Sequence, residues 1–497
     1  MNGNGKVHRV IRSGRGMAAL VAAAALVLTG CGTRASDEEV RAGVSSGPVT
    51  LDQASVDQLR AAAQAAAGGA TGTVPGSVPT TTGGAPAATT TTGTAAGATK
   101  PGSAAGTSTT TGSTPVAAGA TKTTDACTSS GAPVALGQIG SFSGVLGAIT
   151  QSARTSAAIW AQNVNASGGL ACHPVTLYAM DDGADPSRGA ADAQDLIENK
   201  HVVAIVSMFA PLSMAAILPV LQKHNIPVIG GDGIDPAWFD NPLLFPAGGG
   251  LDAMVQGALK QTVEQGRTKL GLLYCVEASL CASIAKTLPA RAKAAGAEVV
   301  YSAPVSLTQT DFTAQCQNAK TAGVNSFGMG VDGSAIARVA RSCAALGYYP
   351  QFVSGGGVIS PAQSEDPGIR HNTLSVSSTV APWMLTDTPG QKEYAGALAR
   401  YAPGMQPDGN SMMAWAGAKL LEAAVGNLDA SVRTRPLATA DIMSGLGKIK
   451  KETLGGLTPP MTFSPGQKAA PQIYCIYFEL LNDHGWTAPH GSVPVCG

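Results

Sequence analysis

Two serines flank a phenylalanine in Gly140-Ser-Phe-Ser-Gly144. Ser141 and Ser143 offer hydroxyls, the glycines let backbone N–H groups approach a bound molecule, and Phe142 offers an apolar face. That is the chemistry of binding. A nucleophile elbow needs serine at the centre of the turn, and here phenylalanine stands there. Ser283-Ile-Ala-Lys286 meets an S-x-x-K pattern that arises by chance in helices, and its partner motifs are missing. There is no H-E-x-x-H and no Walker A sequence, and the seven histidines are scattered. His173 and His224 read as turn or surface residues. The pair Asp181/Asp182 reads as turn-forming rather than metal-binding. Neither a catalytic centre nor a cofactor is expected.

Of nine cysteines, Cys31 stands apart. The other eight (Cys127, Cys172, Cys275, Cys281, Cys316, Cys343, Cys475, Cys496) lie in the globular part. An even number behind a secretory signal points to disulfides formed in an oxidising compartment. Eight cysteines allow 105 pairings, so connectivity stays open; pairing in sequence order is the expectation. No C-x-x-C pair favours a metal site.

Those residues need an export route and a scaffold. Residues 1–30 read as a signal peptide, with Lys6, Arg9, Arg12 and Arg15 ahead of an apolar run, 17–28, too short to span a bilayer. Leu28-Thr-Gly-Cys31 resembles the bacterial lipobox, which makes Cys31 the lipidated N-terminus on the outer face of the cell membrane. Residues 31–126 read as a linker. From 68 to 124 they are almost wholly Thr, Ala, Gly, Pro and Ser, too poor in apolar side chains to offset the entropy of ordering. A flexible chain of that length spans roughly 40 Å. Without the signal, 28 basic residues face 32 acidic ones, a balance that gives no footing for nucleic acid.

From 134 onward apolar runs alternate with helix-like stretches. Strands are expected at 134–139, 175–180, 202–206, 227–229, 269–274, 298–302, 326–329, 351–353 and 373–377. Helices are expected at 190–198, 212–224, 253–265, 278–295 and 334–346, then at 391–401, 411–425 and 439–448, with closing strands at 461–463 and 472–478. This is an α/β pattern of doubly wound sheets, long enough for two Rossmann-like lobes. In such sheets ligands sit beyond the carboxyl ends of the strands.

Four stretches carry a resemblance: Gly140-Ser-Phe-Ser-Gly144, Asn165-Ala-Ser-Gly-Gly-Leu170, Asp181-Asp-Gly-Ala-Asp-Pro186 and Asn225-Ile-Pro-Val-Ile-Gly230. The chain resembles type I periplasmic binding proteins, specifically the branched-chain amino acid receptors of ABC importers. The resemblance implies a first lobe of 127–246 and 379–458 and a second of 247–378 and 459–497, joined by a three-crossing hinge. It implies capture of a small molecule for an ABC permease, with no enzyme activity. The same fold also serves lipid-anchored sensors, and neighbouring genes for a permease and an ATPase would separate the two roles.

In those receptors hydroxyls and helix-end N–H groups of the first lobe hold the ligand carboxylate. The corresponding stretch here, 207–213, keeps Ser213 but has Ala210 and Pro211 where hydroxyls are frequent, with Phe209 an apolar contact. The next loop carries Asp232 and Gly233. The second lobe of the receptors supplies an acid for the ligand ammonium. The loop here, Ser354-Gly-Gly356 and onward, has none, which leaves Glu277 or Asp332 as substitutes. With both anchors weakened, the expected ligand is neutral or largely apolar, such as an amide or an aromatic or aliphatic acid.

Overall fold

A computed structural model describes residues 127, 130–466 and 470–497. The signal, Cys31 and the linker lie outside the described residues. The first sheet is all parallel, in the order β2-β1-β3-β4-β5: β1 Val134–Gly140, β2 Val175–Asp181, β3 Ile205–Met208, β4 Val228–Gly231 and β5 Leu244–Phe245. Helices cover it: α1 Gly147–Ala166, α2 Pro186–Glu198, α3 Met214–His224 and the short α4 Ala237–Asp240. Covering both faces explains why β1 and β3 read as apolar runs without alternation.

The second sheet repeats the plan. β6 Lys269–Cys275, β7 Glu298–Val305, β8 Ser326–Gly330, β9 Gln351–Gly355 and β10 Leu374–Ser378 run parallel in the order β7-β6-β8-β9-β10. α5 Leu251–Glu264 precedes them, and between them run α6 Ser279–Ala294, α7 Thr313–Thr321, α8 Gly333–Ala344, α9 Pro361–Ser364 and α10 Pro367–Asn372. The chain then returns through α11 Pro389–Tyr401, α12 Gly409–Gly426 and α13 Thr439–Gly447. A hairpin of β11 Lys450–Glu452 and β12 Met461–Thr462 follows. Last come β13 Cys475–Asn482, antiparallel on β10, then β14 Gly485–Thr487 and β15 Val495–Cys496, both paired with β13. In each sheet the order reverses after the first strand, at β1/β3 and at β6/β8, which places two switch points for ligand binding.

α12 is buried on nearly every side and anchors the first core. It sits close on β4 because Gly230 and Gly417 meet without side chains; a Cβ on Gly230 would lie 2.1 Å from the Gly417 Cα. The crossings follow β5 and β10 and fall, the third time, between Ala470 and β13. Met461, Phe463 and Ala470 pack in the first core, so the chain leaves that lobe later than 459. Asp185 caps α2 through Ser187 N and Arg188 N, with Pro186 at the first helical position, as its sequence suggests.

The four disulfides among the described residues pair in sequence order: Cys127–Cys172, Cys275–Cys281, Cys316–Cys343 and Cys475–Cys496. They fix the entries to β1 and β2, close the β6–α6 loop, join α7 to α8 and pin the last strand. Some expectations shift. The third strand, Ile205–Met208, starts later and runs further than 202–206, although Val203 N already donates to Ala135 O at 3.0 Å. β13 likewise starts later than 472. His173 is buried rather than exposed, with Nδ1 2.7 Å from Ala132 O and Nε2 2.8 Å from Val432 O.

Candidate functional site

The carboxyl ends of both sheets face one cleft of about 620 Å³. On the first lobe, Ser141 follows β1, Phe209 follows β3 and Asp232 follows β4. The ladder continues past the strands: Ser141 N donates to Phe209 O at 2.8 Å, and Asp232 N to Met208 O at 3.1 Å. Phe209 and Asp232 line the cleft. That wall also includes Leu146, Ile149 and Thr150 around the start of α1, Pro211 and Leu212, and Asn410 and Met413 of α12.

The serine loop sits differently from its sequence reading. The Phe142 ring folds back over Gly140, where a Cβ would come within 2.5 Å of it, and Arg154 lies against it 5.6 Å from the ring centre. Ser143 is exposed and its N–H donates to Asp181 Oδ1 at 3.1 Å. Ser141 and Ser213 are fully buried with hydroxyls that have no hydrogen-bond partner. Ala210 is buried behind the wall, and Gly233 (φ 65°) accepts from Leu251 N at 3.3 Å where the chain turns into the second lobe. None of these six residues forms the cleft surface.

On the second lobe, Glu277, Asp332, Ser354 and Gly356 all line the cleft. Glu277 is engaged: it accepts from Ser306 Oγ (2.7 Å) and Leu307 N (2.8 Å). Partial burial works against its charge, yet these bonds hold its carboxyl below the usual range. Asp332 caps α8 through Ser334 N and Ala335 N. Ser354 donates to Met329 O at 3.1 Å, and Gly356 N donates to Ser377 O at 2.8 Å. Asn410 and Met254, which sequence reasoning missed, come up against Gly357 and Gly355, whose missing side chains make the room.

The resulting surface is mainly aliphatic, with Ile234, Leu251, Met254, Ile284, Met329 and Val331 prominent. Among the described residues its charged groups are Asp232, Asp235, Glu277 and Asp332, and no Lys, Arg or His lines it. Asp232 is 5% exposed. Its Oδ1 accepts from Ile234 N and Trp238 Nε1, while Oδ2 has no partner. Burial pushes its carboxyl up to about 7 against those two bonds.

The sequence reading expects no G-x-G-x-x-G, yet one is present, Gly328-Met-Gly330-Val-Asp-Gly333, running from the end of β8 to the start of α8. Its context is wrong for a dinucleotide. The Asp332 carboxylate occupies the α8 N-terminus where a pyrophosphate would bind.

Two doubly wound lobes that share a cleft and are joined by three crossings define a hinged ligand-capture protein. The chain belongs to the periplasmic binding protein family, whose model matches residues 133–477. Solved structures share the fold. A fatty acid ABC transporter substrate-binding protein from Thermomonospora curvata is 17% identical, with 73% of this chain and 93% of that one covered at a TM-score of 0.63. A branched-chain amino acid transporter substrate binding protein from Streptococcus pneumoniae, in complex with isoleucine, is 17% identical over 73% and 100%, at 0.60. An R. palustris ABC transporter solute binding protein in complex with benzoate is 13% identical over 73% and 98%, at 0.60. The family and these neighbours are binding proteins.

Proposed function

We propose that this chain is the extracytoplasmic, lipid-anchored receptor of an ABC importer, and that it captures an uncharged, largely apolar small molecule between its lobes. The observation that carries the reading is the aliphatic cleft with acids on both walls and no basic side chain. A zwitterionic amino acid needs a partner for each of its charges. Its carboxylate meets no cation, and burying it near Asp232 and Asp235 is unfavourable. Its ammonium meets Glu277 and Asp332, whose carboxylates already serve the loop and the helix cap. The neighbours include a fatty acid transporter's binding protein and proteins in complex with benzoate and with isoleucine, so the fold accommodates ligands well beyond one amino acid class. Cys31 and the low-complexity linker supply the anchor and the reach to a permease.

Calorimetry on the purified chain tests this. Simple aliphatic and aromatic amides are expected to bind, and leucine, isoleucine and valine to bind more weakly. Tight leucine binding with no preference for uncharged analogues would overturn it.

A further inference from the structure

We infer that the ligand carries a linear aliphatic tail that leaves the cleft along β8 and lies between α5 and α6, inside the second lobe. This rests on the cleft reading above and narrows the class of molecule it takes.

The trough begins with the sequence of the central strand. β8 reads Ser326-Phe-Gly-Met-Gly330. Side chains alternate along a strand. Phe327 and Met329 pack with α8 on one face, together with Leu273 and Phe352 of the neighbouring strands. Ser326, Gly328 and Gly330 therefore face the other way, towards the side that carries Leu270 and Leu272. The strand at the middle of the sheet thus presents almost no side chain to that face. Among the described residues no helix packs squarely over that strand. α5 packs on β9, β10 and β13, and α6 packs on β6 and β7, which leaves β8 between them.

The result is a second apolar cavity of about 130 Å³. Gly328, Gly330 and Gly355 form its floor, α5 supplies Met254, Ala258 and Thr262 on one side, and α6 supplies Ile284 and Leu288 on the other. At ~30 Å³ each, that is room for about four water-sized groups. The trough is continuous with the cleft: Leu251, Met254, Ile284, Met329, Gly330, Ser354 and Gly355 line both. Its walls offer water few polar partners, the condition under which a cavity stays dry and takes an apolar occupant. It is small and apolar and opens from the cleft over β6, β8 and β9, between two helices, so an alkyl chain that enters from the cleft fills it. The glycines also explain the G-x-G-x-x-G spacing, in which Gly328 and Gly330 serve the open face of the strand.

The test is a series of straight-chain primary amides from butanamide to decanamide, titrated calorimetrically into the purified chain. Affinity is expected to rise about fourfold per methylene until the trough is full, then to level off. Ala258→Leu fills the trough from α5, away from the cleft. It is expected to cost the longer amides more than tenfold and butanamide less than twofold. Gly328→Ala fills it from the floor and should act in the same direction should Ala258→Leu fail to fold, as judged by circular dichroism. A flat series with butanamide bound overturns the tail and leaves the cleft reading standing, as does a rise that survives both variants. Tight leucine binding with no amide bound at any length overturns both.

Discussion

Asn410 Nδ2 donates to Gly357 O at 2.6 Å, and so ties α12 of the first lobe to the glycine loop of the second. The same nitrogen donates to Ile149 O at the start of α1, also at 2.6 Å. Gly357 has φ 85°, and a Cβ there would lie 2.2 Å from Asn410 Oδ1. The contact thus requires glycine on one side and a short amide on the other. Both residues line the cleft, and the contact between them bridges the lobes. Asn410→Ala should weaken ligand binding about fivefold, the worth of one net hydrogen bond made in the closed form. Gly357→Ala should act in the same direction, and the double variant should cost little more than the worse single one. Calorimetry measures all three. Additive losses would show that the two residues act separately.

The helix that carries Asn410 depends on a second close approach. A Cβ on Gly417 would come 2.8 Å from Gly230 Cα and 3.0 Å from Ser207 Oγ, and that hydroxyl already donates to Ala414 O at 2.6 Å. Helix propensity alone says that Gly417→Ala stabilises, by about 1 kcal/mol. Overpacking says that it destabilises, by about 1–3 kcal/mol. The backbone here has no room to give, so overpacking wins. Thermal denaturation should show the midpoint of Gly417→Ala lowered by several degrees. An unchanged or raised midpoint would mean that α12 lifts off β4 at little cost.

Much of this architecture is legible in the sequence because it is local. Apolar runs such as 134–139 and 269–274 stop at turn residues, and Asp185-Pro186 marks its own helix start. Each disulfide joins cysteines that are consecutive along the chain, so sequence order is enough to pair them. The cleft surface is a different matter. Whether Phe142 faces a ligand depends on its ring folding over Gly140. Asn410 reaches Gly357 from 53 residues away. The trough exists because two helices separate above a strand that has glycine at alternate positions, and nothing within β8 itself says where those helices sit. The absent acid in 354–358 was readable, whereas the prior engagement of Glu277 and Asp332 needed the loops around them.

Buried carboxyls give the fold a pH dependence whose sign can be worked out. Burial pushes Asp232 up to about 7 and Glu479 up to about 8, and Asp408, next to which Glu479 is further raised, up to about 6. Burial and the nearby Asp182 raise Asp192 to about 6. In the unfolded chain these groups titrate near 4. Between about pH 4 and 8 the folded state therefore holds protons that the unfolded state has released, so stability is full below that window and falls as pH rises through it. Carboxyls held low by hydrogen bonds or ion pairs, such as Asp181 and Asp441, lose their contribution only below about pH 4, outside the window. The melting midpoint should therefore drop steadily from pH 5 to pH 8.5. Glu479 has one carboxylate oxygen without a partner and lies on β13, away from the cleft lining. Glu479→Gln should raise the midpoint at pH 8.5, leave it nearly unchanged at pH 5, and flatten the slope between them. A midpoint that rises with pH in the parent chain, or a Glu479→Gln slope equal to the parent's, would mean that these carboxyls are ionised and solvated in the folded protein.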